Sequence, residues 1–152
     1  MDTLNLAAVE PIFNQIDNIA QTKEAIKRLQ QEYNALIIPK VHNTALLPQI
    51  FEWYKEVSVD VGKRDRDSKT MFSQCFVFVV ALLYSPQSLT GAKLSLGIRE
   101  KLTMLLEYKS PTSISNFIPN LMFLYKNYQS YRDRVNTAFE HISKKLISNN
   151  LL

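Results

Sequence analysis

Residues 69–84 read KTMFSQCFVFVVALLY, and the fold class turns on them. The β-branched and aromatic residues suit a buried strand, but sixteen residues without Gly or Pro far exceed the usual strand of about five or six. The stretch is therefore read as a helix. Being apolar nearly all round, it is expected at the centre of a bundle with the other helices wrapped about it. Its most hydrophobic part, CFVFVVALLY at 75–84, is ten residues long, about half of what spans a bilayer.

Upstream, GKRDRDSK at 62–69 carries both charge signs and reads as a surface loop, with Asp67 or Ser68 as N-cap of the central helix. Before it, Leu46, Leu47, Ile50, Phe51, Trp53, Tyr54 and Val57 recur at helical spacing, with Pro48 suited to the first turn. The linker PKVHNT separates this helix from a long one over 3–38. There Thr3 reads as a cap and Pro11 as the helix start or a kink. Ile12, Ile19, Ile26 and Tyr33 stand seven apart, Leu29 and Leu36 complete the later d positions, and Gln15 and Thr22 occupy the earlier ones. Val9, Phe13 and Ile16 widen the stripe. Two roles fit it: cover for the chain's own core, or self-association through Ile12, Ile19, Ile26, Leu29, Tyr33 and Leu36.

Downstream, SPQSLTG at 85–91 reads as a loop. Ser95 reads as N-cap of LGIREKLTMLLEY, whose Ile98, Leu102, Leu105 and Leu106 form an apolar face, and KSPTS breaks the pattern. Helical spacing then resumes through Ile147, with Pro119 as a kink or a separator and a C-terminal helix over 120–147. The expected fold is all-α: one domain over 1–152, a compact bundle with a long N-terminal helix and a hairpin over 95–126.

Composition supports this. Three Gly among 152 residues argue against hairpin-rich β folds and Gly-rich phosphate loops, and a lone Cys75 excludes an internal disulfide. The N-terminus, MDTLNLAAVEPIF, lacks a basic region followed by an apolar run, so a soluble cytoplasmic protein without membrane contact is expected. Residues 1–84 hold nine basic and ten acidic residues, whereas 85–152 hold nine basic and four acidic. A polyanion partner is thus expected at the C-terminal half.

The segment from Arg99 to Asn120 lays out an amphipathic helix, a polar break and a second helix opening SPTSISN. Over these 22 residues the chain resembles helix-turn-helix DNA-binding proteins of bacterial or phage type. The resemblance implies that Ile114 and Ile118 pack the second helix against Leu102, Leu105 and Leu106. Thr112, Ser113, Ser115 and Asn116 then face the major groove, where Asn116 reads adenine. Lys93, Arg99, Lys101 and Lys109 hold phosphates, with Lys126 further along. The sequence departs from that pattern in having Glu107 and Tyr108 where the turn's customary glycine sits, a longer break, and Pro119 inside the second helix. An ordinary helical hairpin with a Ser/Thr-capped second helix has the same outline. In YKNYQSYRDRVN, Tyr128 is assigned to a helix seam, and Arg132 and Arg134 to backbone contacts with nucleic acid.

Catalytic motifs are missing. His42 and His141 are isolated and read as solvated, Asp65 and Asp67 alternate with Arg64 and Arg66, and no HExxH, CxxC, GxSxG or phosphate-loop string occurs. Cys75 reads as an inert core thiol. No catalytic residue, metal or cofactor is expected. The leading function is duplex DNA binding, by a small regulator or by a phage or mobile-element subunit whose layout is similar to that of small terminases, working as a homo-oligomer. The alternative is a non-enzymatic helical interaction or assembly protein with protein partners.

Overall fold

The computed structural model describes residues 6–152, with side chains from Val9 onward. Among these, six α-helices and two short 3-10 turns account for the regular structure, with no strand, so the fold is all-α. Where the sequence predicts one domain, the chain divides into two units, 1–37 and 38–152.

The first unit is helix α1, Leu6–Leu36. Pro11 neither starts nor ends it but lies within its second turn, removing one backbone donor near the N-terminus. The Thr3 cap falls outside the described residues. The apolar stripe of α1 is exposed: Ile12, Ile16, Ile19, Ile26, Leu29, Tyr33 and Leu36 are between 43% and 77% accessible.

The second unit is built around α3, Arg66–Tyr84, the helix anticipated at 69–84. Ser73, the run Cys75–Ala81, Leu83 and Tyr84 are buried. The helix starts earlier than expected because Asp65, not Asp67 or Ser68, is the cap: its carboxylate accepts the Ser68 N–H at 2.9 Å. Helix α2, Leu47–Val57, has Pro48 in its first turn and lays Phe51 and Tyr54 on Phe72 and Phe76, with ring centroids 4.9–5.9 Å apart. A 3-10 turn, Thr44–Leu46, precedes it, and another, Pro86–Thr90, occupies the predicted loop and closes on Gly91 at φ +112°.

Helix α4 is shorter than the sequence suggests, Ile98–Leu105, and its cap is Gly97 at φ +83°, not Ser95. Ser95 instead closes a turn, its carbonyl accepting the Ile98 N–H. Helix α5, Pro111–Asn127, runs through Pro119 without separating there. The break comes at Tyr128, which is extended, and α6 follows as Gln129–Ser148. An unbroken helix over 111–148 would be about 57 Å long, too long for a core of this size. The chain folds back instead, and α5, α6 and α3 pack mutually.

Three tyrosines knot the core. Tyr54 and Tyr131 donate to the carbonyls of Phe72 (2.7 Å) and Gln74 (3.0 Å), and Tyr108 bonds Ser73 Oγ at 2.9 Å. Each brings a large apolar ring inward while its hydroxyl finds a partner, which makes such burial favourable.

Candidate nucleic-acid interface

Helices α4 and α5 pack against each other, with Ile98, Leu102 and Leu106 buried on one side and Ile114 and Leu121 on the other. Leu105 and Ile118, expected in the same seam, are half-buried. The turn between the helices closes without glycine. Glu107 N–H reaches the Met104 carbonyl at 3.2 Å and Tyr108 N–H the Thr103 carbonyl at 3.0 Å, a helix ending that needs one left-handed residue. Glu107 supplies it at φ +59°. Tyr108 pins the turn to α3 through Ser73 and meets Phe117 edge-on at 5.6 Å. Ser110 then caps α5, its Oγ accepting the Thr112 N–H at 3.2 Å, with Pro111 at the first helical position, where its missing donor is of no consequence.

The predicted contact residues fall into three groups. Thr112 and Asn116 are exposed on one edge of α5, which Asn120 and exposed Phe123 extend at helical spacing. Ser113 and Ser115 are half-buried, and Ser115 Oγ accepts from Arg99 Nη1 at 3.2 Å. Arg99 is exposed and also meets Glu100 at 3.4 Å. Lys93, Arg99 and Ser115 line a cleft of about 760 Å³ between the 88–97 segment and the start of α5. Lys109 is exposed in the turn.

Two lysines stand apart. Lys101 turns away from α5 and donates to the Thr44 carbonyl at 3.4 Å, half-buried. Lys126 is exposed but lies fourteen residues beyond Thr112, about 21 Å along the helix. The structure also adds a cation that spacing along the chain does not reveal: Lys69, 38 residues away, bonds the Glu107 carbonyl at 3.4 Å and sits 4.6 Å over the Tyr108 ring. Asn120 had a signal in the sequence, standing four residues after Asn116, one helical turn further on.

No Asp or Glu occurs between Lys109 and Gln129, so α5 carries no acid, and residues 38–152 hold fifteen basic against nine acidic side chains. The downstream arginines are engaged inside the fold, contrary to their expected role. Arg132 caps α5, with Nε on the Tyr125 carbonyl and Nη2 on that of Lys126, both at 2.9 Å. Arg134 pairs with buried Asp60. Tyr128 is exposed against Phe123, and the seam belongs to fully buried Tyr131. His141, read as solvated, is half-buried and contacts Glu56 at 2.7 Å.

Elsewhere burial shifts groups away from reactivity. It pushes the Cys75 thiol up to about 12, the Tyr84 hydroxyl likewise to about 12, and the Tyr54 and Tyr131 hydroxyls further above the usual phenol range. Among the described residues no group of three or more His, Cys, Asp or Glu is placed to hold a metal, and no helix is long and apolar enough to cross a membrane. No protein-family model, curated protein sequence or solved structure matches the chain.

Proposed function

We propose that this chain is a non-enzymatic, self-associating protein that binds double-stranded DNA through the α4–α5 hairpin. One observation carries the reading: α5 offers an exposed edge free of acidic residues, beginning with Thr112 and Asn116, on the more basic unit, with Lys109 in the turn before it and Lys93 and Arg99 at the cleft beside Ser115. A helix of this width enters the major groove, where the Asn116 amide matches the paired donor and acceptor of adenine, and Asn120 is one turn along. Arg99 already reaches Ser115 on α5, so a phosphate beside that helix lies within its range. Lys93 and Lys109 add salt-sensitive, sequence-independent affinity. The role is that of a small regulator or of a phage or mobile-element DNA-recognition subunit.

Fluorescence anisotropy on labelled duplexes tests this. Binding is expected at about 50 mM salt, weakening steeply as salt rises. Arg99→Ala and Lys109→Ala weaken all duplexes alike, Asn116→Ala changes the preferred sequence, and Lys101→Ala leaves binding unchanged. Absence of binding at about 50 mM salt overturns the reading. The second reading, a helical assembly protein without nucleic acid, is favoured by the exposed stripe of α1 and the exposed Phe123–Tyr128 pair.

A further inference from the structure

Helix α1 places Ile12, Ile19, Ile26 and Tyr33 at a, and Gln15, Thr22, Leu29 and Leu36 at d. Its seven exposed seam residues, Ile16 at e included, each present on the order of 100 Å². Together they offer roughly 700 Å² per helix, close to the ~800 Å² per partner of a stable interface. The size of the patch therefore suits a second helix of the same length.

The d positions decide how that second helix lies. They are polar in the first half, Gln15 and Thr22, and leucine in the second, Leu29 and Leu36. A parallel pair sets like against like, stacking two Gln15 and two Thr22 in the seam and two bulky Tyr33 in another layer. An antiparallel pair sets a against d. With the two-fold axis at Glu24, Ile12 meets Leu36 of the second copy, Ile19 meets Leu29, Thr22 meets Ile26 and Gln15 meets Tyr33. No layer then stacks two Gln15, two Thr22 or two Tyr33, Thr22 faces an isoleucine, and the Gln15 amide is beside a phenol hydroxyl that can pair with it. Both polarity and volume select this arrangement.

We infer that the occupant of the α1 stripe is a second copy of this chain, packed antiparallel about Glu24. The inference rests on the self-association proposed above and deepens it. It places Lys23, at e, opposite Lys23 of the second copy, a like-charge contact that a parallel pair does not make.

Full-length Ile19→Cys and Leu29→Cys chains, carrying tags of different mass, test it by disulfide formation, with light scattering run on each and on the wild type. Antiparallel packing puts residue 19 opposite 29 and separates identical residues by about 15 Å, beyond disulfide reach. Refolding the two variants together is expected to give about tenfold more cross-linked dimer than either alone. Cross-linking of each variant alone, or a dimer that cross-links in no combination, overturns the antiparallel seam while self-association stands. A monomeric wild type removes both. Lys23→Gln leaves the seam intact and provides an independent readout: it is expected to tighten dimerisation about threefold at low salt, and an unchanged affinity contradicts the proposed register.

Discussion

Glu107 shows how one side chain can occupy a position that chemistry reserves for glycine. The left-handed conformation at φ +59° costs an ordinary residue about 1 kcal/mol, and the turn holds because Tyr108, Thr103 and Met104 close it with hydrogen bonds and Lys69 reaches the Glu107 carbonyl. Glu107→Gly should therefore stabilise the protein by about 1 kcal/mol in denaturant unfolding. Asp65 is a second instance of local geometry. The Ser68 N–H holds its carboxyl below the usual carboxylate value, so its contribution is fully present above about pH 4 and is lost as pH falls through the lower folded value. Asp65→Ala should be less stable at neutral pH and show a shallower acid limb in thermal melts from about pH 5 to 2.

At the scale of elements, what was legible followed from burial and periodicity. The central helix could be read from 69–84 because a run apolar on every side has nowhere to go but the middle, and Pro48 and Ser110 marked helix starts by their own covalent chemistry. What was not legible depended on contacts between distant residues. Pro119 drew attention as the breaker, yet α5 passes through it, and the turn at Tyr128 arises where the chain must fold back over α3. The element that secures that turn is Arg132, whose guanidinium satisfies the Tyr125 and Lys126 carbonyls. Read along the chain, Arg132 is a surface cation. Only the fold shows that it caps α5. Arg132→Ala should cost about 1–2 kcal/mol of stability, with duplex affinity at constant folded fraction unchanged. Lys101 follows the same logic: beside Arg99 in the sequence it reads as another phosphate contact, and its reach to the Thr44 carbonyl, 57 residues away, takes it out of that group.

For the whole molecule, the distribution of burial implies a division of labour. Every buried core residue among those described lies at Val41 or beyond, so residues 38–152 carry a complete core. Deleting 1–37 should leave the unfolding free energy of the remainder within about 1 kcal/mol, while abolishing self-association and weakening binding to a two-site duplex about 10²-fold through lost avidity. The sequence identified the stripe on the first helix, because heptad spacing is a local signal. Of the hairpin residues, Thr112 and Asn116 could be placed on an accessible helix start, because capping and apolar spacing are local signals. The cations around them were sorted only by the fold. Chemical-shift mapping of backbone amides during titration with duplex DNA at about 50 mM salt is the sharpest test of DNA binding by the α4–α5 hairpin. The largest changes are expected between Lys109 and Asn120, with Lys101 silent; changes confined to α6, or none anywhere, would overturn DNA binding by this hairpin.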